Sequence, residues 1–260
     1  MFGKRIQMFG KRLYAKELKT YQVVVCKTSP KHRQGHSQEK KKKMSVNYWA
    51  KFEEGRFYHI YNRSIGNDIL FYRAKNNYFF MAKWKKLISP YLDVAAYCLM
   101  SNHFHFLARV KPTSKEVIDC IKQEKTKAAK NYMNEEIDYN AFLESQFKRL
   151  YSSYALAINK QEGRHGSLFQ KRFKRIKVRS ESKFWYYLKY IHHNPIHHGF
   201  CHSYSDWKFS SFNNYSNLGS GFLIIKEVLG WVNEEPAKAL EIFIREHDEF
   251  KELKENKNVW

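Results

Sequence analysis

The sequence predicts an α+β domain of the ferredoxin-like type: a split βαβ antiparallel sheet with helices on one face, plus C-terminal helices. Three observations carry this. Short runs rich in Tyr, Ile, Val and Phe alternate with longer segments of helical period in the order β-α-β-β-α-β, followed by another helix. The apolar stretch Val94 to Val110 is too long for one strand and holds Ser101-Asn102, so it divides into two antiparallel strands around a turn. Hydrophobic residues make up 43% of the 260, enough to build a core.

Each element has its own warrant. Residues 1–47 are basic, lack apolar periodicity and read as a disordered extension. The repeat of Met1-Phe2-Gly3-Lys4-Arg5 at Met8 to Arg12 is too short to be structural, and Met44 behind the lysine run is an alternative start. Arg56 to Ser64 reads as the first strand, closed by the turn residues Asn62, Gly66, Asn67 and Asp68. From Tyr72 to Ile88, Phe79, Phe80, Trp84 and Leu87 fall at helical intervals before Pro90. Ser114 caps a helix through Val117, Ile118, Ile121 and Ala128-Ala129. A second helical pattern joins Phe142, Phe147, Leu150, Leu156 and Ile158, and Gly163 and Gly166 break it. Ser167 to Val178 reads as a strongly basic fourth strand. Ser180 or Ser182 starts the next helix, Pro195 halts it, and Gly199 marks the turn beyond. Leu240, Phe243, Ile244 and His247 place an amphipathic helix over 237–254. The domain divisions expected are 1–47, 48–215 and 216–260.

Charge narrows the partners. The chain has 47 Lys/Arg against 25 Asp/Glu, a net of +22. Residues 1–43 hold 13 of the basic and 2 of the acidic residues, a net of +11, so the other +11 lies downstream. The folded part shares the bias, which favours a polyanion through phosphate neutralisation and counterion release. Aromatics at 17% favour nucleic acid, because bases stack on aromatic faces. Cys26, Cys98, Cys120 and Cys201 show no CxxC spacing, so a disulfide framework is not expected and a reducing cytoplasm fits. No apolar run approaches the ~18 residues of a membrane span, and no P-loop implies a nucleotide cofactor.

Chemistry concentrates in two places. In His103-Phe104-His105 the imidazoles share one face of a strand and can hold a divalent metal, while Phe104 and Phe106 point into the core. A solvated strand face is the bland alternative. Zinc is a competing metal, but it lacks a fourth ligand unless Cys98 is near. In Phe184 to Pro195, Tyr190 and Asn194 are helical neighbours at i and i+4, a phenol nucleophile beside an amide carbonyl. Tyr186 and Tyr187 are rivals on the same helix and read as packing residues. His192, His193, His197, His198 and His202 crowd the helix end, where they cap carbonyls, contact phosphates or form a zinc cluster. Arg164, Lys171, Arg172, Lys174, Arg175, Lys177 and Arg179 alternate with Phe169, Phe173 and Ile176. They read as a DNA track, to which Arg63 and Arg109 add.

Tyr97 to His105 and Tyr190-Ile191-His192-His193-Asn194-Pro195 resemble the metal motif and catalytic helix of the single-tyrosine HUH transposases. The likeness is to the insertion-sequence 200-like group, in its REP-associated tyrosine transposase branch. Tyr58 to Arg63, and Asp206-Trp207 with Ser210-Ser211, extend it over roughly 50 to 215. The resemblance implies the same fold and the cutting and rejoining of single-stranded or hairpin DNA through a 5′-phosphotyrosine. It implies Tyr190 as nucleophile, His103 and His105 as metal ligands with Asn194 as third, and Mg²⁺ or Mn²⁺ as the metal. It further implies a bacterial, cytoplasmic, nucleoid-associated protein, with a homodimer as one assembly. Alternatives are a hairpin-binding regulator that does not cut, and a rolling-circle replication initiator. The initiator would usually carry an additional domain.

Overall fold

In the computed structural model, residues 46–257 are described, apart from 67, 218 and 220. All but the last two residues of the 1–47 extension, and Cys26, fall outside the described residues. The strands are β1 Phe57–Arg63, β2 Leu92–Leu99, β3 His103–Val110 and β4 Lys174–Lys177, arranged β2-β3-β1-β4. Every neighbouring pair is antiparallel. This is the split βαβ order that the alternation of periods predicts.

One face of the sheet carries α1 Ala74–Leu87 and α4 Tyr139–Gln161. The Trp84 ring lies flat on Phe106, with centroids 3.5 Å apart, and Phe80 packs on Phe104 at 5.0 Å. Phe147 and Tyr154 of α4 join the same layer. These rings are fully buried, and each large aromatic contributes on the order of 2–3 kcal/mol by leaving water. Between them run α2 Lys115–Gln123 and α3 Lys127–Met133, where the sequence pattern suggests one helix. The break has two causes. Glu124 is extended with its carboxylate held by Arg149 at 2.6 Å, and Thr126 recaps the chain by accepting from Ala129 N–H. Leu156, expected in the core, is exposed.

The other face is covered as well, which extends the expectation of helices on one side. Helix α5 Glu181–His197 lies over β2 and β3, capped by Ser180 accepting from Lys183 N–H. Pro195 does not halt it. Pro195 sits in the last turn, where its missing N–H removes only one bond, and the helix runs on to His197 before Gly199 turns with φ +70°. The fourth strand is four residues long rather than the twelve expected. Upstream of it the chain pairs with the sheet at a Ser64–Phe169 bridge.

The described residues after 216 pack on the rest of the fold. The turn Tyr204–Asp206 leads to α6 Phe212–Ser216, α7 Ile225–Val232 and α8 Pro236–Lys257. Leu223 bridges Val94 of β2, and Trp231 of α7 packs edge-on to Phe57 and Phe184. One hydrophobic cluster therefore extends from Phe52 to Phe243.

A buried polar relay ties α8 to α5, and its polarity can be derived. His247 Nδ1 faces the Phe243 carbonyl at 2.7 Å, so it carries the proton. His247 Nε2 then accepts from His192 Nδ1–H at 2.9 Å, and His192 Nε2 accepts from the Ser211 hydroxyl at 2.7 Å. Ser211 Oγ in turn accepts the Tyr97 N–H of β2 at 2.8 Å. Burial pushes the His247 pKa down to about 3 and the His192 pKa well below the usual range. The folded state thus holds both rings neutral, while the unfolded chain binds protons near pH 6.5. Stability is full above that value and is lost as pH falls toward 3. Thermal unfolding followed from pH 7.5 to pH 5 should show a steep drop, shallower in His247→Gln. A flat profile in the native chain would contradict this relay.

Candidate active site

Period-two alternation puts Phe57, His59, Tyr61 and Arg63 of β1 on the α5 face, opposite Arg109, Leu107, His105 and His103 of β3. His103 and His105 are therefore neighbours, with ring centroids 5.2 Å apart and planes nearly perpendicular. Phe104 between them is buried on the other face and fixes the strand. Helix α5 crosses above. Its Tyr190 ring stands edge-on to His105 at 5.8 Å and to His59 at 5.9 Å. Both halves of the site come from one chain.

The hydrogen bonds leave a defined set of bare donor atoms. His103 Nδ1 donates to Asn102 Oδ1 at 2.7 Å, so its Nε2 keeps a lone pair. His105 Nδ1 meets His59 Nε2 at 2.9 Å, which leaves His105 Nε2 for the open side. Asn194 Nδ2 donates to the Tyr190 carbonyl at 2.7 Å, which turns Oδ1 toward His103. Asn194 is 1% exposed, and its Oδ1 has no well-formed hydrogen bond. A buried carbonyl oxygen aimed at an imidazole lone pair is costly unless something positive sits between them.

Electrostatics keep these groups neutral. Burial, then His198 and Arg63, lower the His103 pKa to about 4, and the nearby Asn194 carbonyl opposes the shift. Burial and the neighbouring His59 hold His105 well below its usual range. Burial raises the Tyr190 phenol, and a bond from Asn194 pulls it back. Two neutral imidazoles and an orphaned amide oxygen suit a divalent cation. Among the described residues no three His, Cys, Asp or Glu side chains form such a cluster. Cys98 lies opposite His105 in the β2–β3 register and contacts Met100 at 3.6 Å, and burial raises its thiol pKa. The crowded histidines also separate. His192 and His193 are buried in packing, His198 lies 5.0 Å from the His103 ring, and His197 also bears on the charge of His103.

The basic residues divide by strand face. Register pairs Tyr61 with Lys174 and His59 with Ile176, so Lys174 lies on the imidazole face. Arg175 and Lys177 point to the opposite side. Arg175 is buried, donates Nε–H to the Ala50 carbonyl and pairs with Glu144, and Lys177 pairs with Glu53. Arg164 pairs with Asp68, and Arg109 is held between Asp93 at 2.8 Å and Glu227 at 2.6 Å. Each of these four pairs with an internal carboxylate. Arg63 stands beside His103 in the register and bears on its charge. Lys171, Arg172 and Arg179 are exposed and Lys174 half-buried; none has an acidic partner within ion-pair distance among the described residues.

His59 and Asn102 are not singled out by the sequence as site residues, and His198 only as one of the histidines at the helix end. His59 alternates with Tyr61 and Arg63, a visible hint, but only the β1–β3 register shows that it meets His105.

No model of a known family matches the sequence. A curated protein of Haemophilus influenzae bearing the name REP-associated tyrosine transposase is 25% identical over 137 residues, covering 52% of this chain and 67% of that one. Among solved structures, a REP-associated tyrosine transposase bound to a REP hairpin is similar with a TM-score of 0.48 and 15% identity, over 70% of this chain and 90% of the other. The chain is thus similar to REP-associated tyrosine transposases in sequence, and its His-Phe-His strand faces the Tyr190 helix.

Proposed function

We propose that this chain cuts and rejoins single-stranded DNA at a hairpin, with Tyr190 as nucleophile and Mg²⁺ or Mn²⁺ as cofactor. The observation that carries the reading is the juxtaposition of Tyr190, the two bare imidazole nitrogens and the orphaned Asn194 oxygen. His103 Nε2, His105 Nε2 and Asn194 Oδ1 would hold the cation. Bound there, it supplies neutralisation and orientation of the scissile phosphate. The Tyr190 oxygen attacks phosphorus in line with the departing 3′ oxygen. The O–P bond to tyrosine forms as the P–O3′ bond breaks, and the phenolic proton is balanced by the one the 3′ oxygen gains. A 5′-phosphotyrosine conserves the bond energy, so a free 3′-OH can reverse the step without ATP. Arg63, at the mouth of the site, supplies charge to the phosphates, and Lys171, Arg172, Lys174 and Arg179 extend it. Arg109, Arg164, Arg175 and Lys177 are left out because carboxylates already occupy them.

The test is incubation with Mn²⁺ and labelled hairpin DNA carrying a single-stranded flank, followed by a denaturing gel. A covalent adduct is expected. Hairpin bound with no adduct under any divalent metal would favour a regulator that does not cut.

His59 acts here as a positioning residue. Its Nε2 holds the ring of His105 at Nδ1, as outer partners of metal-bound histidines do. His59→Ala should weaken Mn²⁺ binding, measured by paramagnetic resonance, by about 10- to 100-fold. Unchanged Mn²⁺ affinity would remove His59 from this role.

A further inference from the structure

We propose that Tyr48, Trp49 and Tyr61, with Arg172 and Lys174, form a stacking track for the unpaired strand, leading from the imidazole pair over the edge of the sheet. The inference rests on the DNA reading above and adds to it a place where bases, rather than phosphates, are held.

The groups are contiguous. Tyr61 stacks against His105 with centroids 5.4 Å apart. Lys174 Nζ lies 5.6 Å from the Tyr61 ring and 5.4 Å from the Tyr48 ring, bridging them. Tyr48 meets Trp49 edge-on at 6.2 Å, and the Arg172 guanidinium lies over Trp49 at 5.8 Å. Rings and cations thus alternate outward from the site, as bases and phosphates alternate along a strand.

The platform is rigid and open. Tyr48 and Trp49 run beside β4, where Arg175 N–H donates to the Tyr48 carbonyl at 2.8 Å and Trp49 bridges Arg175. Trp49 N–H is also held by Asn47 Oδ1 at 2.9 Å. Yet Tyr48 is 37% exposed and Trp49 49%. A cover for the sheet edge would explain the main-chain pairing. It would not explain two half-exposed rings beneath cations that have no carboxylate partner among the described residues. Stacking on such rings tolerates any base and favours unpaired over duplex DNA.

The experiment measures binding of the full-length chain in chelator by fluorescence anisotropy. Three probes are used: a blunt DNA hairpin, and the same hairpin with a short oligo-dT extension on its 5′ or its 3′ side. The native chain should bind one extended hairpin more tightly than the blunt one. Trp49→Ala and Tyr48→Ala should each remove about tenfold from that gain and leave blunt-hairpin affinity unchanged. Trp49→Phe, which keeps a ring, should retain most of it. No gain from either extension, a gain intact in both alanine variants, or an equal loss on blunt and extended probes would overturn the track. Because metal is absent, failure to cut DNA would sink the proposed chemistry without touching this result.

Discussion

Tyr190→Phe is expected to erase the covalent protein–DNA adduct while leaving folding and DNA binding intact. The phenylalanine ring keeps the contacts with His59, His105 and Tyr186, and only the oxygen is lost. Among the described residues no other phenol stands where Tyr190 does. Tyr187 packs against His59 at 4.7 Å, on the β1 side of the imidazoles. Tyr186 stacks on Tyr190 at 6.0 Å and packs edge-on to Phe250 of α8, one turn away from Asn194. Tyr186→Phe and Tyr187→Phe should therefore keep the adduct. Burial raises the Tyr190 phenol, so cutting by the native chain should increase with pH across the neutral range. An undiminished adduct in Tyr190→Phe would end the assignment.

His103→Ala and His105→Ala should each reduce cutting by more than ~100-fold, the upper range for losing a mere outer partner of a metal ligand. DNA affinity should change little, because it comes from exposed cations elsewhere on the surface. The His105 variant should also leave His59 Nε2 without a partner and cost additional stability, which His103→Ala should not. Asn194→Ala removes an oxygen that the fold leaves unbonded. It should slow cutting less than loss of either imidazole. Single-turnover cleavage in metal-resupplied buffer decides this. Either histidine variant cutting at the native rate would refute the metal assignment.

Much of this was legible because the strands announce their faces. His-Phe-His within an apolar run allows one geometry, and Tyr190 and Asn194 at i and i+4 allow one helix face. The order of periods was sufficient for the sheet. What escaped depends on register and on partners distant in sequence. A basic strand does not say which cations find carboxylates. Arg175 and Lys177 look like Lys174 until β1 pairing sends them to the other face, toward Glu144 and Glu53. Arg109 looks free until α7 brings Glu227, 118 residues away. Pro195 appears to stop a helix, because sequence does not show that its missing bond falls in the last turn, where the loss is tolerated.

The proposed chemistry turns on one bond, between the Tyr190 oxygen and a 5′ phosphate. The direct measurement is peptide mapping by mass spectrometry of the adduct formed by the native chain with Mn²⁺ and flanked hairpin DNA. The DNA remnant is predicted on the peptide holding Tyr190, with fragmentation placing it on that side chain. A remnant on Tyr186, Tyr187 or any other residue would contradict the mechanism.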